Sequence, residues 1–227
     1  MAGQIALSDR SLRVFVTVTG SERLPTADAT ATDPSYSRPH AGSTCPANHQ
    51  THTRSAASVD EVYSVNVPVP GRVRELAAEL YPSLLDFDAV REDHSCLLKR
   101  LGDAEHVHEL QRRAHRALEG APAVEAQVTG IEYFADPPLG EAPVVYLAVE
   151  SPGLEALHAD LVDAFGAVEG LEAADYVPHV TLARGGDLAA ARRLADREIE
   201  PVRWTVSELE FFDGSYRLPV SRVSLPA

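Results

Sequence analysis

His179, Thr181 and Arg184 stand in the run YVPHVTLAR, where Pro178 opens a short extended segment. Period-two alternation puts His179 and Thr181 on one face while Val180 and Leu182 point the other way, into a core. An imidazole and a hydroxyl at that spacing can meet one anion: the ring transfers a proton and the hydroxyl donates to a phosphoryl oxygen. A His-x-Thr triplet in an exposed strand is ordinary, so the chemistry needs a second group. His94 offers one, at the head of the apolar run HSCLLKRLG.

The elements that must position these residues are legible from Val62 onward. VYSVNVPVP alternates and stops at Pro70 and Gly71, which reads as a strand and a turn. GRVRELAAELYPSLL sets Val73, Leu76, Ala77 and Leu80 at helical spacing, and HSCLLKRLG follows as a strand after the acidic loop DFDAVRED. A helix is expected over 104–118. VEAQVTGIEYFAD and APVVYLAVE are strand-like runs around a loop with Pro137, Pro138 and Gly140. Ser151 as N-cap and Pro152 at the first position open a helix carrying Leu154, Leu157, Leu161 and Phe165. After PHVTLAR come a short helix, GGDLAAARRLADREI, and WTVSELEFFDGSYRLPVSRVSL, read as two strands turned at Asp213 and Gly214. Two helix-then-histidine-strand units in tandem, with no glycine-rich nucleotide loop, point to an α+β fold. Its expected form is two pseudo-symmetric lobes of antiparallel sheet with flanking helices around a central cleft, not a Rossmann-type sheet.

Residues 20–60 are rich in Ser, Thr, Ala and Pro with almost no large aliphatic side chains, so they cannot offset ordering entropy. Residues 1–60 are therefore expected to be a disordered extension ahead of a domain over 61–227; a start codon assigned too far upstream would also explain such a segment. Within it, Cys45, His49 and His52 have a metal-like spacing but no second ligand cluster, and read as a solvated tail. No metal and no cofactor are expected.

The formal charge is −14, and residues 1–60 are balanced at five Arg against five Asp or Glu, so the excess belongs to the folded part. Lys99 is the single lysine among 20 basic residues, a composition suggestive of a halophile or of a GC-rich genome. An acidic surface repels a polyanion, so DNA-duplex binding is disfavoured and any RNA contact should be terminal, made by a few arginines. Two cysteines in unlike contexts, no long apolar run and no signal-peptide pattern indicate a cytoplasmic, membrane-free protein, and a monomer is expected.

Taken together, YVPHVTLAR, HSCLLKRLG and the tail WTVSELEFFDGSYRLPVSRVSL resemble the two-histidine phosphoesterase superfamily, in its 2'-5' RNA ligase and RNA 2',3'-cyclic phosphodiesterase branch. The resemblance covers roughly 62–227. Such proteins carry two His-x-Thr or His-x-Ser motifs, one per lobe. The second fits here; in the first, the residue two after His94 is Cys96. Either Cys96 takes the hydroxyl's place, the favoured reading, or a bulge re-aims Ser95 toward the phosphate.

What the resemblance implies is metal-free acid–base hydrolysis of a cyclic phosphate to a 2'-phosphomonoester, with His94 as acid and His179 as base, or the reverse, ligation. RNA ends are the expected partners. A small cyclic phosphate such as that of ADP-ribose is the alternative, as is a non-enzymatic RNA- or nucleotide-binding module with a degenerate first motif. Positive charge near the phosphate is expected from Lys99, Arg100 or Arg184, although strand parity sets Lys99 and Arg184 on the face opposite their histidines. Tyr176 and Tyr216 are candidates to stack on a base. The other histidines of the folded region, His106, His108, His115 and His158, read as surface residues.

Overall fold

The structure, a computed structural model, describes residues 63–102 and 106–226. The predicted extension over 1–60, with its Cys45, His49 and His52 tract, lies outside them. Strands β1 (Tyr63–Pro68), β2 (Ala89–Val90), β3 (Ser95–Gly102), β4 (Val124–Phe134), β5 (Val144–Glu150) and β6 (His179–Arg184) interleave with helices α1 (Gly71–Leu84), α2 (Val107–Ala117) and α3 (Pro152–Phe165). Helix α4 (Leu188–Ala195) precedes β7 (Val202–Val206), β8 (Glu208–Asp213) and β9 (Leu218–Ser224). Helix α3 begins where its cap requires: the Ser151 hydroxyl accepts from the Leu154 N–H at 3.1 Å, with Pro152 at the first position.

The strands form a curled antiparallel sheet in the order β7-β4-β5-β6-β3-β1-β8-β9, with β2 beside β6. WTVSELEFF was expected to be one strand. It is two, because only Ser207 separates β7 from β8, yet they stand far apart in the strand order. A sheet whose first and seventh strands are joined by one residue has to curl back on itself. Ser207 marks the seam, and its carbonyl accepts from Leu225 N–H at 2.8 Å.

One face of the sheet carries Val65, Val67, Leu98, Val145, Leu147, Val180, Leu182, Leu209 and Phe211 into a core shared with Val73, Leu80, Leu84, Leu154 and Leu161 of the helices. The other face, with Val144, Tyr146 and Ala148 of β5, lies outside that core cluster. Two four-stranded halves, β7-β4-β5-β6 and β3-β1-β8-β9, meet through one residue pair, Cys96 with Val180.

The strand pairs on the two sides of the seam repeat each other in register. β1 pairs with β3 as Pro68–Ser95, Val67–Cys96, Asn66–Leu97, Val65–Lys99 and Ser64–Arg100. β5 pairs with β6 as Ala148–His179, Leu147–Val180, Tyr146–Thr181, Val145–Ala183 and Val144–Arg184. Each half carries the same one-residue bulge, at Leu98 in β3 and at Leu182 in β6. The outer strands match too: Glu210, Phe211 and Phe212 pair with Asn66, Val65 and Ser64 as Glu132, Tyr133 and Phe134 pair with Tyr146, Val145 and Val144.

Candidate active site

The bulge at Leu182 decides what β6 presents. A bulge adds a residue to one strand and so reverses facing beyond it. Thr181 lies opposite Tyr146, and Arg184 opposite Val144 two residues away on β5, so His179, Thr181 and Arg184 all share the face turned away from the main core. This corrects the parity argument that turned Arg184 away from its histidine. The Arg184 guanidinium is held by a 3.1 Å bond from Nη1 to the Leu139 carbonyl in the β4–β5 loop, beside Gly140.

His179 is half-buried. Its Nδ1 lies 2.7 Å from the Val177 carbonyl, which only a protonated Nδ1 can satisfy, so in the neutral ring Nε2 is the open base. Phe134 meets the imidazole edge-on at 5.4 Å and Tyr146 lies tilted at 5.1 Å. Tyr146 in turn stacks on Phe134 at 4.3 Å and donates to Glu132 Oε2 at 3.1 Å. Burial lowers the pKa of His179, and the charges of Arg184 and Arg100 lower it further against the pull of the Val177 carbonyl. Near neutral pH the free ring is therefore a neutral base.

Across the seam, the shared register makes Ser95 the counterpart of His179, Leu97 that of Thr181 and Arg100 that of Arg184. His94 sits one residue ahead of β3. It is half-buried, with its Nε2 unpartnered and its pKa lowered by burial; the Glu92 backbone and Asp93 oppose that shift, while Arg74 and Arg91 add to it. Cys96 does not take the hydroxyl's place. It is fully buried in the core opposite Val67 and Val180, and burial pushes its thiol up to about 12. Ser95 needs no bulge of its own, since it already lies on the face of Asn66 and Leu97 and accepts from Asn66 Nδ2 at 3.3 Å.

Lys99 also leaves the candidate list. The bulge turns it inward beside Val65, where its ammonium lies 2.6 Å from Glu172 Oε2, both side chains at most 2% exposed. Glu172 further accepts from the Arg100 and Val168 N–H groups, each at 2.9 Å. His158, expected at the surface, is 3% exposed: Nδ1–H donates to the Leu98 carbonyl at 2.7 Å and Nε2 accepts from Ala173 N–H at 3.0 Å. Tyr176 stacks on it at 3.8 Å and donates to the Leu97 carbonyl, so one face of its ring is already covered. These side chains clasp the α3–β6 connection to the backbone of β3. Tyr216, 76% exposed in the β8–β9 turn, remains open for stacking.

Among the described residues, Arg74, Arg91, Arg100 and Arg184 form no ion pair with a carboxylate. Arg91 and Arg100 both depress Arg184, and Arg91 also acts on His94, so the guanidiniums run in one field from His94 to His179. Guanidiniums without carboxylate partners are chemically suited to pair with an anion. No group of three His, Cys, Asp or Glu among the described residues is placed to hold a metal ion, and no helix among them is long and apolar enough to cross a membrane. Sequence reasoning missed Asn66, Phe134 and Tyr146. The near-repeat of LEFF and IEYF was the signal that could have shown the internal symmetry and led to them.

Several solved structures share this architecture. TT0787 of Thermus thermophilus is 19% identical with a TM-score of 0.52, over 72% of this chain and 97% of that one. E. coli LigT complexed with NADP+ is 18% identical with a TM-score of 0.54, over 75% and 100%. E. coli LigT complexed with 3'-AMP is 16% identical with a TM-score of 0.56, over 74% and 99%. No curated protein matches the chain. Residues 65–215 match the 2'-5' RNA ligase superfamily, well over half of the sequence and both halves of the sheet. The chain therefore belongs to the 2'-5' RNA ligase superfamily.

Proposed function

We propose that this chain binds the phosphate at the end of an RNA or of a small nucleotide, and that His179, Thr181, Arg184 and Arg100 make the phosphate site. The observation that carries this reading is the shared face: a neutral imidazole, a hydroxyl and two guanidiniums without carboxylate partners, brought together by matching bulges in β3 and β6. Arginines supply the charge, Thr181 a donor, and the open Nε2 of His179 takes up a proton as the anion approaches. E. coli LigT has been captured with 3'-AMP and with NADP+, ligands of the same chemistry.

Opening a 2',3'-cyclic phosphate needs a base to activate water and an acid to protonate the departing ribose oxygen. His179 fits one role; Ser95, in the counterpart position, is far too weak an acid or base to take the other near neutral pH. Binding is therefore the primary function, with Tyr216 at the turn available to a base.

One observation favours a second reading, a cyclic phosphodiesterase acting on RNA or ADP-ribose ends. His94 stands one residue ahead of Ser95, burial lowers its pKa as it does that of His179, and its buried Nε2 has no hydrogen-bond partner. Titration calorimetry with 3'-AMP and with adenosine 2',3'-cyclic phosphate, beside a hydrolysis assay in EDTA, separates the two. The binding reading expects nucleotide affinity that drops at least tenfold in Arg184→Ala, with no hydrolysis above background. Turnover abolished by His94→Ala makes the chain a phosphodiesterase, and no binding of either nucleotide defeats both readings.

A further inference from the structure

Asn66 is 6% exposed, on the face turned away from the main core, and one of its two amide atoms, itself buried, has no partner. Its other amide atom bonds Ser95 Oγ at 3.3 Å. In the opposite half the same two places hold Tyr146 and His179, so a symmetric protein would present an aromatic ring and an imidazole here. This half presents an amide and a hydroxyl instead. The substitution changes what the half can bind as well as what it can catalyse.

The chemistry of the pair is set whichever way the amide is turned. With Nδ2 donating to Ser95, the open groups are the Asn66 oxygen, an acceptor, and the Ser95 O–H, a donor. With the amide reversed, Ser95 donates to the Asn66 oxygen, and the open groups are the Asn66 NH2 and a lone pair on Ser95. Either state offers one donor and one acceptor side by side. A phosphoryl oxygen, which only accepts, leaves half of that pair unmet; a ligand hydroxyl, which both donates and accepts, meets all of it. Ser95 precedes Cys96 and Thr181 follows Val180, and Cys96–Val180 is the residue pair that joins β3 to β6, so the Asn66–Ser95 pair stands beside the phosphate site.

We infer that Asn66 and Ser95 form a hydroxyl-binding subsite beside the phosphate, which makes the preferred ligand an RNA end or nucleotide carrying a phosphomonoester next to a free ribose hydroxyl. The inference rests on the phosphate-site reading above and narrows it: a 2',3'-cyclic phosphate has no hydroxyl to offer at this place, and a deoxyribose has none either.

Titration calorimetry on the full chain tests it with three probes: 3'-AMP, 2'-deoxyadenosine 3'-monophosphate and adenosine 2',3'-cyclic phosphate. The expected result is 3'-AMP tightest, with the deoxy ligand weaker by roughly tenfold, the ratio that one ordinary hydrogen bond gives. In Ser95→Ala that ratio falls toward one, and in Ser95→Thr, which keeps the hydroxyl, it is retained. Asn66→Leu gives the same loss through the other partner, with circular dichroism confirming the fold of each variant. Equal affinity of the wild type for 3'-AMP and its deoxy form overturns the subsite and leaves the phosphate reading standing, as does a ratio unchanged in Ser95→Ala. Failure of all three nucleotides to bind overturns both.

Discussion

Cys96 and Val180 are paired across the seam of the sheet and hold the same place in its two halves, one in β3 and one in β6. A pseudo-two-fold axis passes between them. Three departures from symmetry around that axis change the chemistry, Ser95 against His179, Leu97 against Thr181 and Asn66 against Tyr146, while Arg100 against Arg184 is kept.

Restoring symmetry should restore a proton-transfer pair. The double variant Ser95→His with Leu97→Thr is expected to raise hydrolysis of adenosine 2',3'-cyclic phosphate by about 10²-fold or more over the wild type, the usual worth of a general acid or base. Product formation followed by chromatography measures it. A rate no different from wild type in a folded double variant would mean that His94, not position 95, sets the chemistry on that side.

Lys99 and Glu172 form a buried pair whose remaining hydrogen-bonding groups meet the backbone of β3 and the α3–β6 connection. Removing one partner strands the other's charge, so Lys99→Ala should lower unfolding free energy by about 3–5 kcal/mol. Urea denaturation reads this directly. Lys99→Met together with Glu172→Leu removes both charges and should cost less than Lys99→Ala alone.

Acid should weaken the fold through its histidines. His94, His158 and His179 all have lowered pKa values, chiefly from burial. In the unfolded chain they return to about 6.5, so the unfolded state binds more protons below that value. Their contribution is present in full above pH 6.5 and is lost as pH falls toward the lowered folded values. The urea midpoint should therefore decline below pH 6.5, and less steeply in His158→Asn; an identical slope in that variant would exclude His158 from the effect.

Proton uptake should accompany ligand binding. His179 is held as a neutral base, and a phosphate beside it raises its pKa again, so affinity should grow as pH falls from 8 toward 6. Adenosine 2',3'-cyclic phosphate is the suitable probe, because its diester does not titrate in this range. Calorimetry in buffers of different ionisation enthalpy should find net proton uptake in the wild type and none in His179→Gln.

The sequence alone determined the elements and their class. Val62 onward shows the strand and helix periods, Ser151 and Pro152 mark the start of α3, and two helix-then-histidine-strand units announce two lobes, because these signals depend on residues a few positions apart. The second motif was equally legible, since His179 and Thr181 need only simple alternation to share a face. Tertiary structure alone decided the rest. The bulges at Leu98 and Leu182 come from pairing with distant strands, and they turn Arg184 and Arg100 onto the site and Lys99 away from it. His94, conspicuous in the linear run, stands one place off the axis, and Cys96 lies on it, facing the core. Which residue stands opposite His179 is a question of register, and register is set across strands rather than along them.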